Sequence, residues 1–252
     1  MVRPGLDLVV ASVPGLADRL ATRLLQEVLA GLEQPLGLAT GATMEPVYAA
    51  LAQQVARLPV ADRARLRRQW RSFNLDEYVG LGPGDPPSFA ATMERLLIRP
   101  LGLDPASVAL PDGLAADPIR EARRYGLALA DAGGLGLQVL GLGLNGHVGF
   151  NEPPCDPQAS TRCVTLSAAT RAQNARFFTA RPGGVPSAAI TIGLAEILAA
   201  RQLVLVVCGA AKAAILARAL CEPPSPDVPA SWLQGHPRLQ VLADPEAAAL
   251  LG

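Results

Sequence analysis

The sequence lacks several features that mark particular classes of protein. It has no basic excess, because Lys+Arg and Asp+Glu both number 22 in 252 residues, and this argues against a nucleic-acid binder. No stretch approaches the roughly 18 consecutive apolar residues of a membrane span. The four cysteines form no C-x-x-C pair, so the pattern predicts neither a metal site nor a disulfide. We therefore expect a cytoplasmic protein without nucleic-acid or membrane partners.

Hydrophobic residues make up 50% of the chain and charged residues 17%, which is typical of a globular protein. Apolar strand-like runs alternate with helical patterns, and this predicts one α/β domain over residues 1–252. The expected fold is a three-layer, Rossmann-like α/β/α arrangement, with a mostly parallel sheet between helices. The predicted strands are 6–11, 35–39, 71–75, 107–111, 135–143, 188–193, 202–209 and 239–244. The predicted helices are 14–31, one ending near 57, 88–98, 117–132, 167–178, 194–200, 210–221 and 245–251.

In such sheets ligands bind beyond the carboxyl ends of the strands, so we expect the site residues in the loops there. The loop GLGLNGHVGFNEP (141–153) begins with the glycine spacing of a dinucleotide-binding loop. That function needs a helix beginning at the glycines, whereas Gly149 and the pair Pro153-Pro154 oppose one. The sequence therefore favours a tight loop that approaches a ligand over a nucleotide site.

The same loop carries three polar side chains within eight residues, Asn145, His147 and Glu152. A histidine held beside a carboxylate suits proton transfer near neutral pH. The alternative is that these side chains only tie the loop together by hydrogen bonds.

An anion site is indicated by the loop Thr40-Gly41-Ala42-Thr43, which lies between a strand and a helix. Free N–H groups and hydroxyls at a helix N-terminus bind anions, although ordinary capping explains such residues as well. Two cations fit the same ligand: Arg171, and Lys212, which is the only lysine in the chain. Either one alone is also consistent with a solvated surface charge.

Two adjacent acids, Asp76 and Glu77, follow the predicted strand RSFNL. Neighbouring strand residues point to opposite faces, so we expect only one of them to face a site. An acid at this position is either a general base or a turn former.

Taken together, these segments resemble the glucosamine-6-phosphate deaminase (isomerase) family. The resemblance runs from about residue 35 to residue 243, in the family's order. It rests on LATGATMEPVYAAL, FNLDEYVGL, GLGLNGHVGFNEP, TLSAATRAQNARFF, AAITIGLAEIL, CGAAKAA and WLQGHP.

The resemblance implies a cofactor-free and metal-free conversion of D-glucosamine 6-phosphate and water to D-fructose 6-phosphate and ammonia. It implies that Asp76 is the base, and that His147, oriented by Asn145 and Glu152, opens the sugar ring. It further implies that the phosphate binds Arg171, Lys212 and the loop Thr40, Gly41, Ala42 and Thr43. The segment 156–186, the lid segment, resembles the family's mobile lid.

Two alternatives remain open. A 6-phosphogluconolactonase would use the same fold and His147 to hydrolyse a lactone. A catalytically silent sensor would bind the sugar phosphate without turnover, although no output domain is visible. The sequence leaves the assembly open between a monomer and a small homo-oligomer.

The chain departs from the resembled pattern at two places. Asn145 stands where some members have Asp, and an amide orients His147 but adds no charge that would stabilise the imidazolium. Of the usual side chains of the allosteric site in hexameric members, Arg162 remains, whereas Cys155 and Val164 replace a hydroxyl and a lysine. The sequence also ends at Gly252, without the longer tail of regulated members.

The second departure predicts little or no activation by N-acetylglucosamine 6-phosphate. We expect rates that rise hyperbolically with glucosamine 6-phosphate and do not change when the effector is added. The measurement is a substrate-saturation curve with and without N-acetylglucosamine 6-phosphate. A sigmoidal curve that the effector makes hyperbolic would contradict the prediction.

Overall fold

The computed structural model describes residues 5–179 and 183–251, and in this part of the chain it contains ten strands and nine α-helices. The strands are β1 (Asp7–Val10), β2 (Leu36–Leu38), β3 (Ser72–Asn74), β4 (Asp76–Tyr78), β5 (Val108–Ala109), β6 (Leu137–Gly141), β7 (Arg162–Thr165), β8 (Ala188–Thr191), β9 (Gln202–Val207) and β10 (Leu239–Ala243). The helices are α1 (Val13–Ala30), α2 (Glu45–Ala56), α3 (Val60–Gln69), α4 (Phe89–Met93), α5 (Arg99–Leu101), α6 (Pro118–Asp131), α7 (Ala168–Asn174), α8 (Leu194–Leu198) and α9 (Ala213–Cys221).

Seven strands form one sheet in the order β1-β10-β9-β6-β2-β3-β5. Every neighbouring pair in it is parallel, which confirms the predicted α/β fold with a mostly parallel sheet. The chain runs outward from β2 through β3 to β5 and then returns to place β6 on the other side of β2. This reversal creates a crevice at the carboxyl ends of β2 and β6, where ligands bind in open α/β sheets.

Helix α1 shows how the apolar pattern builds the core. Its predicted stripe of Leu16, Leu20, Leu24 and Val28 is buried, with each side chain at most 1% exposed. The helix begins after Ser12, whose hydroxyl accepts a hydrogen bond from a first-turn N–H group. Capping and apolar spacing thus agree, and the predicted helix is confirmed.

A second sheet was not expected from the sequence. Strands β4, β8 and β7 form it in that order, and both pairs are antiparallel. The prediction that residues 188–193 belong to the parallel sheet is therefore wrong, because β8 lies between two short strands that the sequence did not reveal. Leu75 joins the two sheets: its N–H donates to the Leu38 carbonyl, and its own carbonyl accepts from Ile192.

Two further predictions differ from the structure. Helix α3 was missed because its sequence, VADRARLRRQ, buries only Leu66 and has no apolar stripe. Residues 245–250 form turns instead of the predicted helix 245–251. Asp244 accepts the N–H of Ala247 with its side chain, and the backbone bonds that follow span four, three and three residues, so no regular α-helical series forms.

The lid segment contains β7, α7 and a 3-10 turn, Ala175–Phe177; its residues 180–182 lie outside the described residues. A small apolar cluster separate from the main core lies between this segment and β4. Its members are Tyr78, Leu81, Phe150, Leu166, Phe178, Val185 and Ala189. Within residues 5–179 and 183–251, no helix is long and apolar enough to cross a membrane.

The close packing beside β4 gives a first structural prediction. A Cβ atom on Gly113 would lie 2.4 Å from the Tyr78 carbonyl and 2.2 Å from the Leu81 carbonyl, so Gly113→Ala forces backbone apart. Overpacking of this kind costs about 1–3 kcal/mol, and we expect the melting temperature to fall by roughly 2–10 °C. Gly84→Ala is the matched control, because a Cβ there meets nothing within 4 Å. Equal melting temperatures for the two variants would refute the prediction.

Candidate active site

A cavity of about 410 Å³ opens at the carboxyl edge of the parallel sheet. Its walls come from the loop after β2, the loop after β6, the residues after β9, the start of β4 and the end of α7. It brings together most of the predicted site residues: Thr40, Gly41, Ala42, Thr43, Asp76, His147 and Lys212. Its size suits a small-molecule ligand.

One part of the cavity has the features of an anion site. The loop Thr40–Thr43 precedes α2, and Gly41 adopts a positive φ of 98° that turns the chain there. Among the described residues, the N–H groups of Gly41, Ala42 and Thr43 have no protein acceptor. Unpaired N–H groups ahead of a helix bind anions such as phosphate.

Among the described residues, two cations line this cavity, Lys212 and Arg176, and only Lys212 was predicted. Together with the loop Thr40–Thr43 they are called the anion pocket. Lys212 follows β9 and donates from Nζ to the Leu142 carbonyl at 2.6 Å. Burial lowers the pKa of Lys212, and the charge of Arg176 acts in the same direction. Arg176 lines the cavity, whereas the predicted Arg171 is exposed on α7 and does not. Arg176 lies in ARFF, the end of a segment on which the resemblance rests, but no local pattern there favours it over Arg171 as a phosphate ligand.

His147 is held in one orientation by Asn145. The Asn145 Oδ1 atom accepts the backbone N–H of His147 at 3.3 Å and lies 2.6 Å from His147 Nδ1. An oxygen that already accepts a backbone N–H is an acceptor, so Nδ1 carries the imidazole proton and Nε2 is left as a proton acceptor. Burial lowers the pKa of His147 to about 4; Glu152 opposes this shift and Lys212 adds to it. The imidazole is therefore neutral at physiological pH.

Asp76 is the acid of the pair that faces the cavity. It begins β4 and is 6% exposed. Burial raises the pKa of Asp76 to about 8, and the charge of Glu77 acts in the same direction. Such a carboxyl can hold or release a proton near neutral pH.

Glu77 points away from the cavity, as the alternation of strand residues predicts. Its carboxylate accepts the N–H groups of Tyr78, Phe89 and Ala90, which tie β4 to the start of α4. Burial raises the pKa of Glu77 to about 7, although these N–H groups act to lower it.

Two glycines allow the loop after β6 to approach the acid and to hold the imidazole. Gly149 has a positive φ of 58°, and a Cβ there would lie 3.6 Å from Asp76 Oδ2 and 3.0 Å from Thr191 Oγ1. A Cβ on Gly143 would lie 2.3 Å from the His147 ring. Of the glycines with the nucleotide-binding spacing, Gly143 therefore serves close packing against His147, and Gly149, which lies outside that spacing, serves close packing beside Asp76.

Glu152 and Asn145 do not line the cavity. Glu152 Oε2 accepts the N–H of Ser167, the N-cap of α7, at 3.3 Å. Its Oε1 is buried and has no hydrogen-bond partner among the described residues. Glu152 thus lies between the His147 loop, where its charge favours the imidazolium, and the start of α7, which is the lid helix.

Two of the three residues that correspond to the resembled allosteric site, Arg162 and Cys155, contact each other. Arg162 donates to Asn151 Oδ1 at 2.9 Å, to the Ser160 carbonyl at 3.1 Å and to Cys155 Sγ at 3.5 Å. Its guanidinium is therefore largely occupied within the chain.

Among the described residues, no group of three His, Cys, Asp or Glu side chains is arranged as a metal site.

A buried acid, an oriented imidazole and an anion pocket at the edge of a parallel sheet define an α/β enzyme for a small anionic substrate. The chain belongs to the family of glucosamine-6-phosphate isomerases and 6-phosphogluconolactonases, whose profile matches residues 11–241.

Relatives named glucosamine-6-phosphate deaminase are similar over nearly the whole chain. The one from Cutibacterium acnes is 42% identical and covers 98% of this chain and 92% of its own. The one from Rhodopirellula baltica is 41% identical and covers 92% and 90%.

A solved monomeric glucosamine-6-phosphate deaminase superposes with a TM-score of 0.89 at 33% identity, covering 97% of this chain and 100% of its own. The 6-phosphogluconolactonase of Trypanosoma brucei, with a TM-score of 0.77 and 20% identity over 100% of both chains, shares the fold.

Burial disfavours the ionised form of Asp76, and the pKa of this carboxyl is raised for that reason. An acid whose folded pKa lies above its unfolded value binds protons more tightly when folded, so stability falls as pH rises between about 4 and 8. We expect Asp76→Asn to raise the melting temperature at about pH 8 by at least roughly 2 °C more than at about pH 5.

Glu121→Gln is the control of opposite sign. Burial acts to raise the pKa of Glu121, but its hydrogen bonds to Arg124 and to the N–H of Asp112 outweigh burial and lower it. Its removal should therefore destabilise the protein at pH 8. A stabilisation by Asp76→Asn that does not change with pH would contradict the linkage.

Proposed function

We propose that this chain is a glucosamine-6-phosphate deaminase, which converts D-glucosamine 6-phosphate and water to D-fructose 6-phosphate and ammonia. The observation that carries the proposal is the placement of the buried Asp76 carboxyl in one cavity with His147 and the anion pocket. The relatives of that name support it over nearly the full length of the chain.

The phosphate binds at the anion pocket. The three unpaired N–H groups after β2 donate to its oxygens, while Lys212 and Arg176 supply charge. Arg171 remains a phosphate ligand predicted from the resemblance; it joins the site if the lid segment moves on binding. This anchoring fixes the sugar so that its reacting carbons lie near Asp76 and His147.

His147 opens the ring. Its free Nε2 accepts the proton of the anomeric hydroxyl and returns it to the ring oxygen, which leaves the open-chain aldehyde. Asn145 keeps Nδ1 protonated during this exchange, and Glu152 stabilises the transient imidazolium by its charge.

Asp76 then moves a proton between neighbouring carbons. In its ionised form the carboxylate removes the proton from C2 while the aldehyde oxygen O1 takes up a proton from the substrate's ammonium group, which gives an enolamine. Asp76 then returns the C2 proton to C1, and the product is a protonated imine at C2 with a hydroxymethyl group at C1. A base with a pKa of about 8 is suited to both halves of this transfer, because it takes up and releases the proton near neutral pH.

Water completes the reaction. It adds to the C2 imine, and ammonia leaves from the resulting carbinolamine, so that the ketone of fructose 6-phosphate forms. The lid segment covers the cavity during these steps and keeps bulk water from the intermediates.

We further propose a cytoplasmic protein that acts as a monomer or a small homo-oligomer; one solved relative is described as monomeric.

The test is to mix the purified protein with glucosamine 6-phosphate and to assay ammonia and fructose 6-phosphate. We expect equal amounts of both, and a loss of about 10²–10⁴-fold in kcat for Asp76→Asn, because the amide cannot take the C2 proton. Binding of the sugar phosphate, measured by calorimetry, should largely remain.

Asp131→Asn is the matched control, because Asp131 is exposed at the end of α6 and lies outside the cavity. Neither product from the wild type, together with hydrolysis of 6-phosphogluconolactone, would replace the proposal with a lactonase. Binding of glucosamine 6-phosphate without any turnover would replace it with a sensor.

A further inference from the structure

A hydrogen bond connects the strand of the general base with the lid helix. The Asn174 side-chain N–H donates to the Tyr78 hydroxyl at 3.0 Å, across 96 positions of the chain. Tyr78 and Asp76 are alternate residues of β4, so both side chains lie on the face that lines the cavity. Asn174 is the last residue of α7 and lines the cavity as well.

Helix α7 depends on this bond because it has little packing of its own. Thr170 is its only buried residue. Within the described residues, α7 and its cap make two tertiary hydrogen bonds, one at each end. The N-cap Ser167 donates its N–H to Glu152, and Asn174 donates to Tyr78. The bond at the C-terminal end therefore fixes where the following residues lie.

Arg176 lies between two residues that contact Tyr78. Asn174 binds the Tyr78 hydroxyl, and the ring of Phe178 packs edge-on against the Tyr78 ring at 5.2 Å. Tyr78 itself is 2% exposed and is fixed by further ring contacts with Phe89 and Phe150. A rigid aromatic residue thus holds the chain on both sides of the arginine that reaches the cavity.

We propose that Tyr78 is a positioning residue that acts through Asn174 to hold Arg176 beside Lys212 in the anion pocket. This deepens the proposed function, on which it rests, by assigning a role to a residue beyond Asp76 and His147. Tyr78 acts on binding of the phosphate group, and Asp76, on the same strand, acts on the carbon chemistry.

The test removes the hydroxyl and keeps the ring. For Tyr78→Phe we expect KM for glucosamine 6-phosphate to rise about three- to tenfold, with kcat changed less than about twofold. Inorganic phosphate is the probe of the pocket, and its dissociation constant, measured by calorimetry, should rise by the same factor. Asn174→Ala should reproduce both changes.

The dependence on Arg176 is tested with a double variant. Arg176→Ala should weaken phosphate binding further, and adding Tyr78→Phe to it should change nothing more, because the positioned group is gone. Tyr125→Phe is the matched control: it also loses a buried hydroxyl, which donates to the carbonyls of Asn74 and Ala109, but it does not line the cavity. It should leave KM and phosphate binding unchanged.

Three outcomes would overturn the proposal. They are unchanged phosphate binding in Tyr78→Phe, a rise in KM without weaker phosphate binding, and independent effects of Tyr78→Phe and Arg176→Ala. The calorimetric measurement does not depend on turnover. A wild-type protein that makes no fructose 6-phosphate would therefore refute the proposed function, while the phosphate titrations would still decide the role of Tyr78.

Discussion

The site depends on the burial of one carboxyl group where the chain passes from one sheet to another. Leu75 is bonded on one side to the parallel sheet and on the other to β8, so the next residue, Asp76, has a fixed position and little access to water. Desolvation keeps its proton affinity high, and the adjacent Glu77 increases it. The second sheet is thus more than an addition to the fold, because it creates the environment that makes this acid useful near neutral pH.

The loop after β6 follows from the same constraint. It must bring an imidazole close to a buried acid without filling the space that a ligand needs. Glycines at 143 and 149 meet this demand, since a side chain at either position would collide with His147 or crowd Asp76 and Thr191. Glycine loses more backbone conformational entropy on folding than any other residue, so both glycines lower the free energy of unfolding. That loss accompanies the placement of Asp76 and His147 around one cavity.

The sequence predicted the parts of the molecule that rest on strong local signals. Long apolar runs predicted the parallel sheet, and the loops after those runs contained most of the predicted site residues, which line the cavity. The small sheet escaped prediction because β4 and β7 are short and polar, and their partner strand lies far away in the chain. The presence of Arg176 in the cavity wall was not predicted, because the end of α7 is held by a tertiary bond to Tyr78 that no local pattern encodes.

The cavity wall therefore has two kinds of support. The loops after β2, β6 and β9 follow buried strands of the main sheet and share its rigidity, whereas α7 buries a single side chain and is held by hydrogen bonds at its ends. Those two bonds lead to Glu152, whose charge acts on His147, and to Tyr78, which shares a strand with Asp76. Any displacement of α7 must alter contacts of Glu152 and Tyr78. The position of this helix is therefore coupled to the surroundings of both His147 and Asp76.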